Sequence, residues 1–327
     1  MFKRSTMTRL GLALGLAAGL MTGAAHADTI TVTHWGGQFY GVPYAVGMDK
    51  GFFKKDGPVD VTGILTAAGG GTAIRNTLAG DIPFGEVSLA AAVQAVNAGQ
   101  PLVIVGAGTQ SVADQMWVVK KDSSLHTIKD LAGKRIGVRS YTQTTGMWVR
   151  AHLKEDYGLA TPSIRWLTRD PAHVEEYRDP AFVEHTSSSK SLPDMLRDGD
   201  IDAAILGNDL PEGDEFAPVI PDPSGRDRTW WLRHGFMPIN HMMVASRNLA
   251  GSNPDALREA CRLLEKAHEL TAVPKGKPSR VLLGFAALRE PLRWIVDVCM
   301  EQGLLPRRLD FAEVFGPAER ILGGLLE

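Results

Sequence analysis

Apolar positions along this chain come in short bursts separated by glycine- and hydroxyl-rich turns. Their spacing switches repeatedly between the two-residue period of a strand and the longer period of a helix. Ile30 and Val32 alternate with threonines and predict a strand over 28–33. A short helix over 42–48 and a strand over 59–65 follow. The run Ala67-Ala-Gly-Gly-Gly-Thr72 then opens a helix reaching Ala79. A third strand over 82–87 closes on Ser88 before an alanine-rich helix over 89–97, and 102–105 predicts a fourth strand. This alternation is that of a parallel α/β sheet with helices on its faces.

A strand over 116–119 comes next with no helix before it, after the polar stretch 109–115, and marks a boundary between two units. The second unit repeats the pattern with a helix over 128–132, a strand over 135–138 and a helix reaching Tyr157. In that last helix Val149, Leu153 and Tyr157 are spaced four apart and Gly158 supplies the stop. A strand over 164–168, a polar loop over 177–190, a helix over 192–197 and a strand over 201–206 complete it. Residues 211–231, rich in proline, glycine and charge, predict a long loop. Residues 238–245 read as a strand returning to the first unit, and helices are predicted over 253–270, 279–287 and 291–302. The expectation is an α/β protein of two lobes, each a mostly parallel sheet flanked by helices, joined by two crossover strands. Residues 28–113 and 242–327 form lobe 1 and residues 114–241 form lobe 2.

The first 27 residues stand apart. Lys3, Arg4 and Arg9 precede an unbroken run of apolar residues and glycine over 10–21, and Ala25-His26-Ala27 has the small-x-small form of a cleavage site. The run is shorter than the ~20 residues of a membrane-spanning helix. A secretory signal peptide cleaved after Ala27 is expected, with the mature chain in the periplasm. Losing three basic residues makes an already mildly acidic chain (formal charge −2) more so, which argues against nucleic acid as a partner. Cys261 and Cys299 lack metal-ligand spacing, and an exported compartment permits a disulfide between them as readily as simple burial. No metal or cofactor motif is present.

The richest local chemistry lies in Gly-Val-Arg-Ser-Tyr-Thr-Gln-Thr-Thr-Gly over 137–146, between a predicted strand and a predicted helix. It serves either as a capped turn or as an anion site, where free N–H groups and the positive helix end meet a negative group. In the second reading Tyr141, Thr142, Thr144 and Thr145 hold the anion, helped by Arg139 or Arg169, whose alternative is a surface ion pair. Other strand ends place His34, Trp35 and Tyr40 as an aromatic wall from lobe 1, with Gly71, Thr72 and Ser88 near a ligand. Asn208 and His241 stand at the end of a strand and at the return crossover. Each of these has a structural alternative: a core or rim aromatic, a tight turn, a buried histidine.

Two α/β units behind a signal peptide resemble type 2 periplasmic binding proteins. Gly47-x-x-x-Gly51-Phe-Phe, Gly80-Asp-x-Pro-Phe-Gly85 and Ile128-Lys-Asp-Leu-x-Gly-Lys-Arg-Ile-Gly137 are similar to the nitrate, sulfonate and thiamine-precursor branch of ABC-transporter receptors. A narrower likeness, to 4,5-dihydroxyphthalate decarboxylases, lies in Tyr141-x-x-Thr-x-x-x-Trp148-x-Arg150, in Leu192-x-x-Met-Leu-x-x-Gly199 and in Phe236-x-Pro-Ile-x-His241. The resemblance implies an exported monomeric receptor that delivers a small anion, in particular a phthalate-like aromatic carboxylate, to an ABC permease. The rival it implies is an aromatic acid decarboxylase with His34 or His241 as proton donor, against which the export signal stands.

Overall fold

The computed structural model describes residues 30–31, 42–52, 70–79, 84–109, 117–207, 210–220, 222–271, 277–279 and 281–326. The expected signal peptide, the strand over 59–65, the aromatic loop at His34, Trp35 and Tyr40, and Asn208 lie outside the described residues. Two sheets organise what is described. The first contains β1 (Ile30–Thr31), β2 (Phe84–Ser88), β3 (Leu102–Thr109), β10 (Ile239–Ser246) and β11 (Val281–Leu282), in the order β1-β2-β10-β3-β11. The second contains β4 (Trp117–Lys120), β5 (Arg135–Val138), β6 (Arg165–Thr168), β7 (Val183–His185), β8 (Ala203–Ile205) and β9 (Phe216–Pro218), in the order β7-β6-β5-β8-β4-β9.

β10 runs antiparallel between β2 and β3, with His241 opposite Ser88. Every residue of β10 is buried, which is why its sequence reads as a near-continuous apolar run. In the second sheet β7, β6, β5 and β8 are parallel neighbours, and β4 pairs antiparallel with β8 and β9. Parallel pairing demands crossover helices. α1 (Val42–Asp49), α2 (Gly70–Ala79) and α3 (Leu89–Asn97) belong to the first sheet, and α4 (Thr144–Tyr157) and α5 (Leu192–Asp198) to the second.

β7 lies within the polar loop expected over 177–190, and β11 at the start of the helix expected over 279–287. Three further departures from the sequence expectation have local causes. The supposed loop over 211–231 contains β9 and α6 (Pro223–His234). Asp222 caps that helix by accepting from Gly225 N at 3.1 Å, Pro223 takes the first position where no N–H is needed, and Gly235 ends it at φ 75°. After α7 (Arg247–Ser252) and α8 (Pro254–Glu269), the two helices expected over 279–302 are one, α9 (Phe285–Glu301), with Pro291 inside it. Phe285, Leu288, Leu292, Ile295, Val296 and Cys299 stay in helical phase across Pro291 and are all buried. Burial of that stripe outweighs the roughly 3 kcal/mol a mid-helix proline costs. A last helix, α10 (Phe311–Leu322), was not expected; an Asp310/Glu313 capping box starts it. Cys261 and Cys299 are buried and unbridged.

α4 ends as its sequence predicts. Gly158 adopts φ 69° and its N–H reaches Leu153 O and Lys154 O. Nothing lies within 4 Å of where a methyl would sit, so Gly158→Ala should cost about 1 kcal/mol through backbone strain alone. Urea unfolding of the variant checks this, with the m-value unchanged.

Candidate functional site

The carboxyl ends of β2, β5 and β6 carry the residues that meet between the two sheets. Ser88 ends β2 and caps α3, accepting from Ala91 N at 3.3 Å. The next N–H of that helix, Ala90 N, donates to Thr144 Oγ1 at 3.4 Å, and Thr144 is the first residue of α4. Two helices therefore face one another N-terminus to N-terminus. Each carries about half a positive charge at that end, so the arrangement favours a negative group beside it. Gln143, in the cap position of α4, makes no side-chain cap bond.

The loop after β5 is locked to the loop after β6 by hydroxyl contacts. Ser140 and Thr142 share a hydrogen bond at 3.0 Å, and Ser140 Oγ donates to Pro171 O at 3.2 Å. His173 N donates to Thr142 Oγ1 at 3.2 Å. Arg139 O accepts from both Arg169 N and Asp170 N, and the Arg139 guanidinium lies 3.5 Å from Asp170. Arg169 Nε is buried without a hydrogen-bond partner among the described residues.

Of the candidates named from sequence, Ser88, Thr142, Thr144 and His241 converge here, with Arg139 and Arg169 on the loops that bound them. Thr145 is buried in the first turn of α4. Tyr141 turns away: its hydroxyl donates to Gln302 O at 2.8 Å, and its ring lies edge-on to Phe182. Thr72 accepts from Arg75 in the first turns of α2, which Gly71 also occupies. Sequence reasoning passed over Ser140's partner loop and, above all, His173. Its Nδ1 lies 3.4 Å from Ser88 Oγ, so it links the two sheets. The available signal was its place five residues beyond the end of β6, where ligands of α/β sheets gather.

His173 and His241 are both held neutral. Burial pulls His173 down to about 4, with Arg139 and Arg75 adding to it. Burial pulls His241 down to about 3, with His173 adding to it. At neutral pH both rings are neutral imidazoles, each with a single weakly acidic N–H. As neutral imidazoles they act as hydrogen-bonding groups. A cavity of about 500 Å³ opens beside His173 between α2, α3 and residues 171–178, lined by Ile74, Leu78, Ala95 and Val174 with Arg75. Across it Gln100 Nε2 donates to Glu176 at 2.9 Å. No group of three or more potential metal ligands occurs among the described residues.

Comparison with known proteins places the fold. Residues 38–163 match the family described as NMT1/THI5 like. Over 235 residues the chain is 28% identical to a 4,5-dihydroxyphthalate decarboxylase from Comamonas testosteroni, covering 61% of this chain and 71% of that one. The periplasmic aliphatic sulphonate binding protein SsuA from Escherichia coli superposes with a TM-score of 0.59 at 15% identity, covering 88% of this chain and 97% of that one. The desulfurization enzyme DSZB superposes with a TM-score of 0.53 at 16% identity, covering 91% of this chain and 99% of that one. The chain has the two-lobed fold of periplasmic binding proteins, a scaffold that also carries an enzyme. No helix among the described residues is long and apolar enough to cross a membrane.

Proposed function

We propose that this chain is an exported receptor that closes on a small aromatic carboxylate between its lobes and delivers it to a membrane permease. Residues 28–113 and 242–327 would form one lobe and 114–241 the other. The observation that carries the reading is the meeting of the α3 and α4 N-termini, bridged by Thr144 and Ser88, beside the unpartnered Arg169 Nε. The positive ends of two helices, hydroxyls and a guanidinium suit a carboxylate. The apolar wall of Ile74, Leu78, Ala95 and Val174 suits a ring. The name of the Comamonas relative supports phthalate-like acids, and the sulphonate receptor supports an anion of some kind. Ser88, Arg139, Thr142, Thr144, Arg169, His173 and His241 are the residues assigned to the ligand.

A second reading, decarboxylation of a dihydroxyphthalate-like acid, has one specific support, the 28% identity to an enzyme named for it. Two neutral histidines are poor acids for the protonation that such a step requires.

The test uses the chain from Asp28, unfolded and refolded to strip any bound molecule. It is titrated calorimetrically with phthalate, terephthalate, benzoate, 4,5-dihydroxyphthalate, an alkanesulfonate and a pyrimidine. Binding at about −8 kcal/mol or better with the acid recovered intact is the expected result. Turnover with release of carbon dioxide would replace the receptor with the enzyme.

A further inference from the structure

Behind the 140–143 loop sits a charge that no part of the site described so far uses. Arg150, on the second turn of α4, is fully buried. Its side chain runs back toward the helix N-terminus, as long side chains on helices do. Nε donates to Gln302 Oε1 at 2.7 Å and Nη2 to Tyr141 O at 2.8 Å. The guanidinium lies 3.9 Å over the Tyr141 ring and 5.4 Å from that of Trp166. Nη1 is buried with no hydrogen-bond partner and packs under the first turn of α4, where a methyl on Gly146 would lie 3.1 Å from it.

Two facts make this arrangement costly for the protein alone. A guanidinium stays charged inside a protein, and a buried charge is normally paired with one of opposite sign. Among the described residues no carboxylate forms an ion pair with Arg150, and Asp179 acts on it only from beyond ion-pair distance; its hydrogen-bond partners are a side-chain amide and a carbonyl. It also lies beneath a helix N-terminus, whose partial charge has the same sign. The counter-charge that would relieve both is an anion on the far side of the same turn, where Thr142 and Thr144 stand.

We propose that Arg150 is the charge-selecting residue of the cleft: without touching the ligand, it supplies the buried positive potential that favours an anion over a neutral molecule of the same shape. The inference rests on the reading of the cleft as an anion site and adds to it the origin of its selectivity. Gln302, which holds Arg150 Nε and also donates to Met147 O at 2.9 Å, positions the guanidinium from the end of α9.

The test compares phthalate with its neutral counterpart phthalamide on the refolded chain from Asp28, by calorimetry, for the wild type and three variants. Arg150→Met removes the charge. Arg150→Lys keeps it. Gln302→Glu sets a carboxylate against it without removing it. The preference for phthalate over phthalamide should fall roughly tenfold in Arg150→Met and Gln302→Glu. That is the size of a unit-charge attraction across ~10 Å at an effective dielectric of ~20. Arg150→Lys should keep most of it. Should Arg150→Met fail to fold, Gln302→Glu decides. Equal losses of phthalate and phthalamide binding in the folded variants would overturn the inference and make Arg150 a packing residue, with the anion cleft left standing. A wild type that binds phthalate no better than phthalamide overturns the anion cleft itself, and the inference with it.

Discussion

Moving this protein from pH 7 to pH 5 should remove about 3 kcal/mol from its unfolding free energy, a large part of what a typical domain has. Three buried histidines cause the loss. His152 and His173 are each pulled down to about 4 and His241 to about 3, in every case chiefly by burial. An unfolded chain takes up these protons near pH 6.5, while the native rings stay neutral until far lower. The stabilisation is therefore present in full above pH 6.5, shrinks as pH falls through 6.5, and stops shrinking only near the native values. At pH 5 each ring costs about 2 kcal/mol on this basis. Glu86 opposes them. Burial pushes it up to about 8, so it weakens the fold as pH rises from 4.5 to 8, and acidifying to pH 5 relieves about 3 kcal/mol. The histidines win by number. Urea unfolding at the two pH values measures the difference, and His152→Phe isolates one contributor. Both His152 ring nitrogens lack a hydrogen bond, and its nearest carboxylate, Asp156, is 3.8 Å away, so the variant should lose about 2 kcal/mol of the pH dependence. Equal stability at pH 5 and pH 7 would mean that these rings are not enclosed as described.

The second large effect is expected at Trp148. This indole is fully buried on α4, donates from Nε1 to Ile239 O on β10 at 2.7 Å, and stacks on Trp294 of α9 with centroids 4.9 Å apart and planes 10° apart. Trp230 of α6 meets it edge-on at 5.6 Å. One side chain thus ties a helix of the second sheet to the central strand of the first, to α9 and to α6. Trp148→Ala leaves a large cavity and an unsatisfied carbonyl, and should cost about 4 kcal/mol. Trp148→Phe keeps much of the stacking and loses the donor, for about 2 kcal/mol. Chemical denaturation of both variants reads the costs. A Phe variant as damaging as Ala would show that the hydrogen bond, and not ring packing, dominates.

Much of the architecture was legible in the chain. The β5-turn-α4 unit announced itself through a buried strand pattern, a hydroxyl-rich turn, four-residue apolar spacing and Gly158. All of these are local, and a residue's φ/ψ preference and its neighbours at i+4 are enough to produce them. The same holds for the change from strand to helix at Ser88. Where the reading failed, the local signals conflicted. Proline and charge in 211–231 argued for a loop, although Asp222 and Pro223 together make a good helix start. Pro291 argued for a break that the continuous apolar stripe overrode.

The contacts of the 137–146 turn were half legible. The hydroxyls were visible, but which of them meet the His173 loop was not. Tyr141 and Thr142 are neighbours in sequence, yet one hydroxyl goes to Gln302 and the other to the His173 loop. His173 and Ser88 are 85 positions apart and meet only because β2 and β6 end on the same side of their sheets. Arg150 looked like an ordinary helix residue until Gln302, 152 positions later, proved to be its partner.

The sequence by itself determined the alternation of strands and helices, the two-unit organisation and the hydroxyl-rich helix start, because each depends on periodicity and turn chemistry within a few residues. Tertiary structure alone decided that two helix N-termini face one another, that three histidines are buried deeply enough to lower their basicity, and that a guanidinium is buried with no ion pair among the described residues. Those properties come from desolvation and from contacts between distant segments, which exist only once the chain has folded.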